Sequence, residues 1–268
     1  ASIMVQYFGQ VMPDRNVPWH YPWFYFAVTV PVGLQCLGIW GIVEAWRTRR
    51  LDPFPWLLVG TILGFLGLFS TSIPVYDGER LFLHVFPAWA MLMGLGFSRL
   101  CQRMGRVRTA QALLLGLLLA QAYGTLRLHP FGLSYYSALA GGLRGAESRG
   151  LELTYWGDAV DRVLLDRLAD NVEPGVTAAL APTLYPGQGI ITTTSRLAER
   201  QVVLHDEDAA TTAEWLLVWR RQAYWRPELA ARLQSGQGTC VATRTRQGVW
   251  LSSLWHFPKS RRATASSR

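Results

Sequence analysis

Asp77, Arg80 and His84 follow one another at i, i+3 and i+7. On a helix beginning near Asp77 all three would project from one face. An arginine offers a planar fork that grips phosphate through two hydrogen bonds, and a histidine adds a further donor. The chemistry that suits this spacing is the binding of a lipid phosphate at a membrane surface. The plainer alternative has Arg80 snorkelling to water while Asp77 and Glu79 cap the helix start and complement its dipole. A second cluster, Pro18-Trp19-His20-Tyr21-Pro22-Trp23, sets aromatic rings beside a histidine. Such a group suits a sugar or a prenyl chain, and equally suits anchoring at a membrane interface.

The elements that must carry these residues are strongly apolar. Four stretches contain no Asp, Glu, Lys or Arg: Asn16–Val43, Pro53–Tyr76, Leu81–Ser98 and Thr109–Leu126. Each is about long enough for a helix to cross a bilayer with a core of roughly 30 Å. Composition therefore predicts an α-helical integral membrane bundle of four spans, at about 21–44, 54–75, 80–98 and 109–126, within a region 21–126. An extracytoplasmic lead-in, 1–20, precedes it. A small extracytoplasmic α/β or α+β domain, 127–258, and a disordered basic tail, 259–268, follow it. Arg47, Arg49 and Arg50 crowd one loop and Arg99, Arg103, Arg106 and Arg108 another, whereas Asp77, Glu79 and Arg80 make the loop between them net negative. The positive-inside rule puts the arginine loops in the cytoplasm and the Asp77–Arg80 loop outside. Pro31 and Pro87 should kink the first and third spans, and Gly60, Gly64 and Gly67 should allow close packing on the second.

The net charge of +8 and the mean hydropathy of +0.13 average these unlike halves. All basic residues except Lys259 are arginines, spread widely. No recognition motif or basic–aromatic array accompanies them, which argues against nucleic acid as a partner. Cys36, Cys101 and Cys240 make no disulfide framework. Ala1–Gln10 has no basic stretch before an apolar core, so no signal peptide is read there, and the chain reads as a fragment of a longer protein.

In the polar half, Asp158–Asn171 is predicted as a helix capped by Asp158, with Val160, Val163, Leu164 and Leu168 as its apolar stripe. Strands are predicted at Val176–Leu180, Gln201–Leu204, Glu214–Trp219, Thr239–Thr243 and Val249–Leu254, with a short helix at Pro227–Leu233. His205-Asp206-Glu207-Asp208 reads as a polar loop rather than a metal site. No nucleophile elbow, zinc-protease motif or paired-cysteine motif occurs.

Three segments resemble a known family. Pro18-Trp19-His20-Tyr21-Pro22 and Asp77-Gly78-Glu79-Arg80-Leu81-Phe82-Leu83 each precede an apolar stretch. Ser134-Tyr135-Tyr136-Ser137-Ala138-Leu139-Ala140-Gly141-Gly142 is followed by Glu152-Leu153-Thr154-Tyr155-Trp156-Gly157. Their order and spacing are similar to the back half of bacterial relatives of the dolichyl-phosphate-mannose protein mannosyltransferases, which are GT-C glycosyltransferases. Ser137 departs from the asparagine often found after the paired tyrosines. The resemblance implies transfer of a sugar from a polyprenyl-phosphate carrier to a protein, lipid or glycan acceptor on the outer face of the bacterial plasma (inner) membrane. It implies a catalytic acidic residue upstream of this chain, in the first extracytoplasmic loop, acting as the base that takes the acceptor proton. Arg80 and His84 would then bind the carrier phosphate, and Trp19, His20, Tyr21, Asp77, Glu79 and Tyr155 would shape the substrate site. No cofactor is required, and a divalent metal is compatible with the reading but demanded by no residue. The rival reading is a non-enzymatic membrane-anchored protein whose outer domain binds a partner or an envelope polymer. A transporter would need a repeat that the four dissimilar stretches lack.

Overall fold

The computed structural model describes residues 2–48, 53–105, 107–174, 176–184 and 187–258. It divides into two compact units, Ala1–Glu152 and Leu153–Arg268. The segment 127–152, polar by composition, thus belongs with the apolar helices. The basic tail 259–268, with Arg49, Arg50 and Arg106 of the arginine loops, lies outside the described residues.

The first unit opens with a β-hairpin, β1 (Met4–Tyr7) and β2 (Gln10–Pro13), paired antiparallel. Phe8 and Gly9 both take positive φ at its tip (48° and 76°), the backbone that a two-residue hairpin turn needs. The Gly9 amide donates to the Gly150 carbonyl at 2.9 Å. A Cβ on Gly150 would stand 2.4 Å from the Gly9 nitrogen, so only glycine fits there.

Helices α1 (Tyr21–Thr29), α2 (Val32–Thr48), α3 (Phe54–Phe69), α4 (Val85–Met104), α5 (Val107–Leu128) and α6 (Gly142–Ser148) follow. Pro31 sits between α1 and α2, whose directions differ by 111°, and Val30 before it is extended, as a residue preceding proline prefers. Pro87 causes no break. It falls in the first turn of α4, where the missing N–H would have had no partner inside the helix.

The four-span bundle expected from composition is not formed. Among the described residues one helix, Arg108–Leu128, is long and apolar enough to cross a membrane, and at most a second if the bent pair α1–α2 counts as one span. The chain is mixed α/β instead. Freedom from charge did not measure helix continuity: prolines divide the first stretch, and α3 has only 16 residues. The third stretch begins in a 3-10 turn, Arg80–Phe82, and its helix runs on through Arg99 and Arg103.

The glycine reading also changes. A Cβ on Gly60, Gly64 or Gly67 would meet nothing within 4 Å. The close approach belongs to α2 and α4, where a Cβ on Gly41 would lie 2.1 Å from the Leu92 carbonyl oxygen and one on Gly96 2.2 Å from that of Leu37. Glu44 locks the same helix pair. Its side chain is 3% exposed, and it meets Arg103 at 2.9 Å and Arg47 at 3.6 Å. Two arginines read as topology signals are therefore also partners of a buried carboxylate, which would be costly to bury alone.

The second unit holds a five-stranded sheet in the order β4-β3-β5-β7-β6. Its strands are β3 (Ala178–Ala181), β4 (Leu204–His205), β5 (Trp215–Trp219), β6 (Thr239–Arg246) and β7 (Val249–His256). β3 runs parallel to β4 and β5, and β7 is antiparallel to β5 and β6. Every residue of β5 is buried, so alternate side chains feed two cores. Trp215, Leu217 and Trp219 join Leu164, Leu168 and Leu197 of α7 (Arg162–Asn171) and α9 (Arg196–Glu199) on one face. Leu216 and Val218 join Ala210, Leu229 and Phe257 on the other. Helices α8 (Gly187–Thr194) and α10 (Pro227–Gln234) complete the unit. Asp161, not Asp158, caps α7, its carboxylate accepting from the Leu164 amide at 3.2 Å. Val163 is accordingly exposed. Glu207 and Asp208 pair with Arg226 at 2.8 and 2.6 Å, which accounts for the acidic run near His205.

Candidate functional site

The Asp77–Arg80 loop is built by two consecutive left-handed residues, Asp77 (φ 58°) and Gly78 (φ 66°). Such backbone turns sharply and is costly for a residue with a Cβ. The turn aims the Gly78 amide at the buried Tyr21 hydroxyl, 3.0 Å away. It also brings Asp77 back to Arg80, whose Nη1 lies 3.3 Å from Oδ2. The Arg80 guanidinium sits 5.8 Å from the Tyr76 ring centroid, and 46% of its side chain stays accessible. Glu79 is half-buried, and burial pushes its carboxyl above the usual carboxylate range. The loop therefore offers one steered, accessible cation, with Asp77 as the counter-charge that an incoming phosphate would have to displace.

His84 departs from the expected face. α4 starts at Val85, and the 3-10 turn before it rotates the spacing away from 3.6 residues per turn. The exposed His84 ring instead packs edge-on against Phe65, centroids 4.0 Å apart, and near Phe69 at 6.1 Å. Asp77 and Arg80 are brought together, whereas His84 is held against α3.

Tyr21 lies at the centre of an aromatic cluster. Its ring is 4.4 Å from Tyr25 and 5.0 Å from Tyr7, and His20 Nδ1 is 2.9 Å from the Tyr7 hydroxyl. Burial pushes the Tyr7 phenol far up, so it stays a neutral hydrogen-bonding group. Trp19 points outward and is largely exposed. The third segment joins the same helix: the Ser137 amide donates to the Val28 carbonyl at 2.7 Å, and the Tyr136 ring faces Tyr25 at 6.3 Å. The Tyr136 hydroxyl then donates to the Glu152 carbonyl at 2.6 Å. All three segments thus meet on α1.

Tyr155 belongs to the second unit, where its ring lies 5.4 Å from the Arg221 guanidinium. Sequence reasoning missed Tyr7 and Glu44. The alternation of Met4–Tyr7 beside Phe8-Gly9 was the available signal for the first, and nothing in the spacing pointed to the second. Among the described residues, no group of three or more His, Cys, Asp or Glu could hold a metal ion. Compared with known proteins, the chain matches no family model, no curated protein and no solved structure.

Proposed function

We propose that the chain is part of a membrane glycosyltransferase that takes sugar from a polyprenyl-phosphate carrier at the outer face of a bacterial plasma membrane, with Arg80 contacting the carrier phosphate. The observation that carries this reading is the meeting of three separated segments on α1, through Tyr21 with Gly78, Tyr25 with Tyr136, and Val28 with Ser137. An arginine held by a strained loop beside an aromatic cluster suits a phosphate joined to a sugar and a prenyl chain. The apolar surface of α5 supports membrane contact. Leu113, Leu115, Leu118, Leu119 and Leu126 are exposed on it, so it does not act as a core helix. The general base lies elsewhere in this reading, because Asp77 is held by Arg80.

The test is sugar transfer from a labelled polyprenyl-phosphate donor by the complete protein in membranes. Arg80→Ala should cut transfer at least tenfold, and Arg80→Lys should recover only part of it, since a point charge replaces a fork. Unchanged transfer in Arg80→Ala removes the assignment. A complete protein with no transfer under any condition favours the rival, a membrane-anchored module that binds an envelope polymer.

A further inference from the structure

The second unit contains a cleft of about 290 Å³ lined by Trp156, Pro182, Thr183, Leu184, Trp219, Arg221 and Tyr224. Its position follows from the sheet. Pro182–Leu184 continue from the carboxyl end of β3, and Arg221–Tyr224 follow the carboxyl end of β5, its parallel neighbour. The chain leaves β3 through α8 and α9, with Leu197 in one core, and leaves β5 through α10, with Leu229 in the other. Connections that diverge to opposite faces open a crevice at the carboxyl ends of parallel strands, where ligands of open α/β sheets bind.

The lining is chemically selective. Trp156 is held with φ at 56° and is 49% exposed, so a large ring is presented at the rim by backbone that disfavours any side chain. Arg221 is 8% exposed, and its guanidinium lies 5.4 Å from the Tyr155 ring and 5.1 Å from that of Tyr224. The two rings flank the guanidinium where it lines the cleft. Trp219 forms a rigid wall, its indole N–H donating to the Pro182 carbonyl at 2.7 Å. The Thr183 hydroxyl accepts from the Glu207 amide at 2.9 Å, and so keeps its own hydrogen to donate.

We propose that this cleft binds a pyranose sugar, one ring face lying on Trp156 and its hydroxyls meeting Arg221 and Thr183. Aromatic faces attract the polarised C–H face of a pyranose, as they attract other positive edges. Preset polar groups fix the hydroxyls of such a ligand. The volume lies at the lower end of the range for small-molecule sites, about 300 Å³ upward, which is the scale of one monosaccharide. A lipid chain is disfavoured because a charged guanidinium, that of Arg221, lines the cleft. The larger cavity of about 360 Å³ around Trp225, Trp250 and Trp255 is a weaker candidate, since among the described residues no charged side chain lines it to hold a hydroxyl.

The proposal does not depend on the donor-lipid reading. It is tested on the complete chain by saturation-transfer NMR with the methyl pyranosides of glucose, galactose and mannose, with N-acetylglucosamine and with glucuronate. At least one sugar should show saturable transfer concentrated on one ring face. Trp156→Gly, which removes the ring and relaxes the left-handed backbone, should weaken binding at least tenfold while the near-ultraviolet circular dichroism keeps a folded signature. Thr183→Val should weaken it severalfold. No saturable transfer to any of the five sugars overturns the proposal, as does a Trp156→Gly chain that binds as tightly as the parent. No donor lipid enters the measurement, so its failure and the failure of the Arg80 assignment are separate events.

Discussion

The Gly78 amide donates to the buried Tyr21 hydroxyl at 3.0 Å, joining two segments 57 residues apart in the chain. This bond holds the left-handed turn from which Arg80 folds back onto Asp77. Tyr21→Phe keeps the ring and deletes the acceptor, leaving a buried N–H without that partner. The expected loss of stability is about 1–3 kcal/mol, read as a lower denaturant midpoint in detergent. The same variant should raise protease cleavage within 77–80 more than it raises cleavage elsewhere. An unchanged midpoint would show that the turn holds itself.

Glycines on two helices give opposite expectations. Gly41→Ala would force a Cβ to within 2.1 Å of the Leu92 carbonyl oxygen, a backbone atom that cannot swing away. Its cost should reach or exceed the usual overpacking range of about 1–3 kcal/mol. Gly60→Ala meets open space in the middle of α3 and should stabilise by about 0.5–1 kcal/mol through backbone entropy. Thermal unfolding of the two variants side by side decides it, and equal midpoints would contradict the α2–α4 contact.

Local signals were legible where chemistry stayed local. In the second unit, strands form near each segment where apolar and β-branched residues cluster, and α10 covers Pro227–Gln234, one residue longer than its periodicity suggested. What failed depended on distance. Gly60, Gly64 and Gly67 have the spacing of a packing face, whereas the glycines that pack are Gly41 and Gly96, whose contact is set by the crossing of two helices. Asp158 and Asp161 are equally good caps by type, and only the trace of the chain chooses Asp161. The uncharged stretches marked where apolar surface lies but could not show where prolines and a 3-10 turn interrupt it. In the candidate site, the i, i+3 spacing put Asp77 and Arg80 on one face of a helix, whereas a left-handed turn at Asp77 and Gly78 is what brings them together. The role of Tyr21 as anchor for Gly78 was not, because nothing in either segment names the other.

Asp158, released from capping, is pushed from 3.8 up to about 6, mainly by burial, against the opposing pull of backbone amides and Arg221. The folded chain therefore keeps this proton to higher pH than the unfolded chain. Below about pH 4 the group is neutral in both states and costs nothing. Between pH 4 and 6 the unfolded state ionises first and gains, so stability falls as pH rises, and above 6 the full cost remains. Asp158→Asn should flatten that slope and raise stability at pH 7.5 by on the order of 1–2 kcal/mol. Denaturant titrations of both chains at pH 4, 5, 6 and 7.5 give the comparison; parallel curves would refute the shift.

Leu119 stands near the middle of α5 and is 61% exposed. A leucine in that position is stable in lipid and unfavourable in water, so the two environments predict different neighbours for the same side chain. The reading of α5 as a span requires a probe at this position to meet acyl chains. With Cys36, Cys101 and Cys240 replaced, Leu119→Cys labelled with a small fluorophore and reconstituted in vesicles should be quenched by spin labels deep in the acyl chains. Aqueous iodide should quench it little. Ser148→Cys, at the exposed end of α6, should show the reverse order. Strong iodide quenching at position 119 would mean that the exposed leucines of α5 face a protein partner or solvent, and would remove the membrane contact on which the proposed function draws.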